Sequence, residues 1–199
     1  SEMCIRDRRS TTQGMVSVLG NHDYASYAKD THEAQDRLLR LLVETEQNAL
    51  GWRLLRNDHL VIRRGGDSLV VAGTENDGEP PFPNLADTRK SLEGVRPGAF
   101  EVMLQHDPSA WRRDILPNTT AQLTLSGHTH GGQMQFFGHR PTQWRGRPDK
   151  GLYEHQGRYL YVNTGLGGLV PFRLNMPNEI TVITLRTKHR PADPVAKDN

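Results

Sequence analysis

The stretch AQLTLSGHTHGGQ, residues 121–133, decides how this chain reads. Its first half is a short β-rich run. Its second half presents two imidazoles, His128 and His130, framed by Gly127, Gly131 and Gly132. A strand that stops at a glycine and then offers titratable groups places chemistry on a loop held by a rigid scaffold. Glycine also lets the backbone approach an ion or a phosphate with no Cβ in the way. Two other runs end in the same manner. MVSVLG (15–20) leads into Asn21-His22-Asp23, and FEVMLQ (100–105) leads into His106-Asp107. In open α/β sheets ligands bind beyond the carboxyl ends of strands, so these three loops are expected to meet in one crevice.

The residue types suit a definite chemistry. Imidazole nitrogen combined with amide or carboxylate oxygen favours zinc, manganese or iron, and no thiolates are present beyond the lone Cys4. His22 beside Asp23 is the pair expected of a proton donor whose tautomer a carboxylate holds. Asn-His-Asp by itself is equally good turn chemistry. The three loops together make a site the stronger reading. The histidines at 32, 59, 139, 155 and 189 are read as surface or capping residues. Trp111, Trp144, Phe136 and Phe137 stay open between lining a pocket and ordinary packing.

Composition sets the frame. With 199 residues, 35% of them hydrophobic and 24% charged, the chain has room for one domain with a real core. The 25 basic and 23 acidic residues give a net charge of +2, spread along the sequence. No Lys/Arg run is dense enough to argue for nucleic acid or an anionic membrane. No apolar run reaches the length of a membrane span. A single cysteine excludes an internal disulfide framework and permits a reducing compartment.

Asp30 with Glu33 resembles a capping box and predicts a helix through about Asn48, with Leu38, Leu41, Leu42 and Leu50 on its buried side. Strands are expected at 59–62, 68–73, 100–105, 121–127, 158–163 and 179–185, and helices near 84–92 and 108–114. The mixture predicts an α/β sandwich with a mixed sheet. Residues 1–13 read as a non-native or disordered leader, 14–187 as the domain, and 188–199 as a disordered tail.

The runs GNHD, QHDP and GHTHGGQ, in this order, resemble the calcineurin-like metallophosphoesterase superfamily. GLYEHQGRYLYVNTGLGG and PNEITVITL resemble the C-terminal part of its bacterial YkuE-like branch, so the resemblance covers roughly 14–187. It implies a β-sandwich flanked by helices, with a dinuclear metal centre at the strand ends. Carried over by motif, Asn21, His106 and His128 resemble ligands of one metal and His130 a ligand of the other. His22 matches the residue that contacts phosphate and assists the leaving group, and Asp23 matches its partner. The implied reaction is two-metal hydrolysis of a small-molecule or lipid-linked phosphoester, with Mn, Zn or Fe as the ions. Members of this branch often carry a membrane segment upstream, so the implied location is cytoplasmic or membrane-associated in a bacterium. The family also has an Asp-x-His pair and a Gly-Asp block ahead of GNHD. Only nineteen residues precede Gly20 here, and neither block is among them. The expectation is therefore an N-terminally incomplete domain that holds at most one ion weakly and is inactive alone. A catalytically inactive phosphoesterase-like binding or scaffold module is the competing reading.

Overall fold

The computed structural model describes residues 14–26, 31–78, 80 and 82–186. The leader, the tail, Cys4 and Asp30 lie outside them. The mixed α/β class expected from the sequence is the class found. A six-stranded sheet runs in the order β3-β4-β5-β6-β8-β7, where β3 is Asp58–Arg64, β4 Asp67–Gly73, β5 Phe100–Leu104, β6 Leu123–Ser126, β7 Gly151–His155 and β8 Arg158–Val162. The four inner strands β4, β5, β6 and β8 are mutually parallel, and β3 and β7 close the edges antiparallel. Parallel strands are covered on both faces, which is why LVVA and VM read as apolar runs, while in YLYV only Leu160 and Val162 are fully buried.

The β7–β8 hairpin turns on Gln156 and Gly157, both at positive φ (51° and 75°), the signature of a two-residue type I′ connection. The carboxyl ends of the four inner strands, β4, β5, β6 and β8, open on one edge of the sheet. A second, two-stranded parallel sheet pairs β1 (Val16–Ser17) with β2 (Arg53–Leu54). It presses on the large sheet at Gly73, where a Cβ would lie 2.6 Å from Val18 Cγ1 and 2.7 Å from Leu55 Cβ. Only glycine permits that approach.

The main core gathers Ala72, Met103, Leu160 and Val162 of the sheet under Trp111 and Ile115. Those two sit on a π-turn, 111–115, that runs into the short helix α3 (Leu116–Asn118). With α2 (Thr88–Ser91), these stand where longer helices near 84–92 and 108–114 were expected. A second cluster packs Leu19, Tyr24 and Leu54 against Leu39, Leu42 and Val43 of helix α1 (His32–Glu44).

Three expectations need correction. Thr31 caps α1, its hydroxyl accepting from Ala34 N at 3.3 Å, and the helix passes into a π-turn at 45–49. Leu38 and Leu41 are exposed; Leu42 packs inward as expected, and its partly buried companions are Leu39 and Val43. Residues 179–185 form no ladder. They lie beside β8 through side chains: Tyr161 OH donates to Glu179, and Asn163 Nδ2 donates to Thr181 at 2.8 Å. Ile180 and Val182 point to solvent. Strands β2 and β7 were not anticipated.

Candidate functional site

The three loops converge. Asn21 leaves the chain after β1, His106 lies two residues past β5, and His128 two residues past β6. Their polar atoms form a small triangle. His106 Nε2 is 2.8 Å from Asn21 Oδ1 and 3.1 Å from His128 Nδ1, and His128 Nδ1 is 3.1 Å from Asn21 Oδ1. The two rings meet edge to face, 4.9 Å between centroids. Burial and then the neighbouring His128 pull the His106 pKa down to about 4. Burial also lowers His128, against the pull of the nearby Asp107 carboxylate. Both rings are therefore neutral at pH 7, with lone pairs available.

Gly20 makes this packing possible, since a Cβ there would fall 2.7 Å from His106 Nδ1 and Cε1. Asp23 Oδ2 accepts from Gly20 N at 2.7 Å, so its carboxylate closes the turn that presents Asn21 and His22. His22 is exposed and faces the cleft. His130 Nδ1 sits 3.1 Å from Thr164 O. A carbonyl only accepts, so Nδ1 carries the proton and Nε2 is left with its lone pair. His128, His130 and Gln133 all lie at positive φ (68°, 51° and 57°), a strained backbone of the kind that gathers at functional sites.

The cluster lines a cleft of about 770 Å³, with His22 and His130 beside it and Phe82, Pro108, Pro141 and Leu169 as apolar wall. Among the described residues, no group of three His, Cys, Asp or Glu side chains is arranged to hold a metal ion. The triangle reaches three donors through the Asn21 amide. Its donor set still fits a divalent ion: neutral imidazoles and a carbonyl oxygen, spaced about as ligands roughly 2.1 Å from a common centre would be.

Several residues that support the site went unread. Tyr24 OH donates to Glu75 and accepts from Asn76 N at 3.0 Å, which ties the Asn21 loop to the end of β4. Gln105 reaches the same place through Thr74 Oγ1 and Glu75 O. Thr129 Oγ1 donates to Asp149 O at 2.6 Å, and Asp149 is clamped by Arg140 at 2.8 and 3.0 Å. Gln133 bonds the backbone of Leu169, Val170 and Phe172. Phe82 meets the His128 ring edge-on. Of the four aromatics left open, Trp111 is core, while Phe136, Phe137 and Trp144 are exposed. Tyr24→Phe leaves the buried Glu75 carboxylate and Asn76 N–H short of a partner, and is expected to cost about 1–3 kcal/mol in urea unfolding. An unchanged urea midpoint would contradict the tether.

No family model matches the chain. An uncharacterized metallophosphoesterase of Aquifex aeolicus is 30% identical over 179 residues, 88% of this chain and 62% of that protein. The uncharacterized metallophosphoesterase YkuE of Bacillus subtilis is 29% identical over 181 residues, 87% of this chain and 57% of its own. The UDP-2,3-diacylglucosamine pyrophosphatase LpxG of Chlamydia trachomatis is 26% identical over 214 residues, 85% of this chain and 63% of its own. The chain thus spans about three fifths of the length of these relatives.

Proposed function

The chain belongs to the calcineurin-like metallophosphoesterase family, and from that premise we propose that its cleft serves divalent-metal-dependent hydrolysis of phosphoester bonds. The observation that carries this reading is the triangle of Asn21 Oδ1, His106 Nε2 and His128 Nδ1 at the mouth of three strand ends. These three residues would hold one ion, and His130 Nε2 would serve a second. A bound divalent ion supplies Lewis acidity, withdrawing charge from phosphoryl oxygens and acidifying water. His22, exposed beside the triangle on the turn that Asp23 closes, contacts the phosphoryl group and hands a proton to the leaving oxygen. Phe82 and the prolines keep water away from one side of the cleft. The substrate is a small-molecule or lipid-linked phosphoester, in keeping with the pyrophosphatase among the relatives. Among the described residues no helix is long and apolar enough to cross a membrane.

One complete donor triangle and a lone His130 lead us to expect that this chain holds at most one Mn²⁺, Zn²⁺ or Fe²⁺ ion, and weakly. Negligible turnover of bis-p-nitrophenyl phosphate follows for the 199 residues alone. Joining them to a segment that carries Asp-x-His and Gly-Asp blocks should confer Mn²⁺-dependent turnover. In that longer protein His22→Ala should lower kcat by roughly 10²–10⁴-fold and leave the bound ion in place. Robust activity of the short chain would overturn the one-ion expectation. Full metal content in the longer protein with no hydrolysis of any phosphoester would favour the inactive binding module instead.

A further inference from the structure

Two stretches flank the mouth of the cleft, and both expose large apolar side chains. The first, 134–150, carries Phe137 at 101% and Trp144 at 83% exposure; the second, 166–175, carries Leu169 at 81% together with Phe172. They form one rim. Met134 bridges Leu174, Gln135 N donates to Leu174 O at 2.9 Å, and Gln133 bonds the backbone at 169, 170 and 172. Pro141 and Thr142 of the first stretch, and Gly168 and Leu169 of the second, line the cleft itself.

The charge of this rim departs from that of the chain. Residues 134–150 and 166–175 hold five Arg or Lys (140, 145, 147, 150 and 173) and one acid, Asp149, where the whole chain is nearly balanced. Asp149 is buried and pairs with Arg140, so these two cancel, and Arg147, Lys150 and Arg173 carry the described positive charge of the rim. No single run is basic enough to notice in the sequence; the fold brings the two together.

We infer that this rim is a docking surface for an anionic phospholipid bilayer, which it enters at headgroup depth with the cleft facing the lipid. Tryptophan and phenylalanine with interspersed arginine suit an interface that is apolar on one side and wet and anionic on the other. A second copy of the chain fits worse. A two-fold contact through this rim would set its cationic stretches against each other. The docking needs no turnover, so it stands or falls independently of the phosphoesterase reading.

Co-sedimentation with extruded vesicles of equal phosphatidylcholine and phosphatidylglycerol tests it. The 199-residue chain should sediment with them, more weakly with phosphatidylcholine alone, and less as salt rises. Trp144 emission should shift to the blue on binding, against the constant background of Trp111 in the core and of Trp52. Phe137→Ser combined with Trp144→Ser should lower the vesicle partition at least about 10-fold. Leu38→Ser with Leu41→Ser, exposed on helix α1 and bonded to neither rim stretch among the described residues, should leave it unchanged. Matching urea midpoints would show that the variants remain folded. Equal partition of the rim variant and the parent would overturn the inference. So would an unshifted Trp144, or self-association that shields Trp144 without vesicle binding.

Discussion

His106→Ala and His128→Ala should each lower the affinity of the chain for Mn²⁺ or Zn²⁺ by at least about 100-fold. Loss of a supporting group around a metal site already costs about 10–100-fold, and these substitutions remove a donor outright. Only three donors make up the triangle, so two cannot hold the ion against water. Gly20→Ala separates geometry from chemistry. It removes no donor, yet its Cβ would lie 2.7 Å from the His106 ring and must displace it. A fall of affinity in this variant, with all three donors still present, would show that the spacing matters as well as the identities. Equilibrium dialysis with metal analysis reads each case. Unchanged ion content in both histidine variants would refute the assignment of the triangle.

The second large effect is acid destabilisation. His106 has its pKa lowered in the fold from 6.5 to about 4, mainly by burial. The unfolded chain therefore takes up a proton on this ring between those two pH values while the folded chain does not. Wherever the unfolded state binds more protons, stability rises with pH. Falling pH accordingly removes stability, starting near 6.5 and finishing near 4. For His106 the loss is on the order of 3 kcal/mol, and His128 shifts in the same direction. Urea midpoints at pH 7, 5.5 and 4.5 measure it. His106→Ala should flatten the slope, and a flat profile in the parent would contradict the buried neutral ring. Added divalent ion should steepen it, because protons and metal compete for the same lone pairs.

The sequence carried the frame of the site and little of its support. The ends of β5 and β6 were readable because short β-prone runs stop there at Gln105 and Gly127 and give way at once to an imidazole, much as the first run stops at Gly20 ahead of Asn21 and His22. Asn21, His106 and His128 fall at such points. Gln133 and Asp149 gave no comparable signal. The partners of Gln133 are backbone atoms tens of residues away, those of the Asp149 carboxylate are side chains in its own loop and hairpin, and a glutamine or aspartate after glycine or proline looks like loop chemistry. The stretch 179–185 illustrates the opposite failure. Its alternation is genuine, with Glu179 and Thr181 inward and Ile180 and Val182 outward, but a ladder also requires a partner strand, and pattern does not supply one. The stripe of α1 was read correctly at Leu42 and wrongly at Leu38 and Leu41, because these leucines are as apolar as Leu39 and hydrophobicity did not single out the inward face.

The Gln133 side chain has a consequence for motion. Its Oε1 accepts from Leu169 N and Val170 N, and its Nε2 donates to Val170 O and Phe172 O at 2.9 Å. A loop whose side chains lie almost wholly in solvent thus has its amides hidden on the inner side. Hydrogen exchange at Leu169 and Val170 should be slow for so exposed a segment, and should track the opening of the histidine loop that carries Gln133. The outer loop and the site loop then fluctuate as one unit. Whatever the exposed leucine meets, the backbone entropy of that encounter has already been spent during folding.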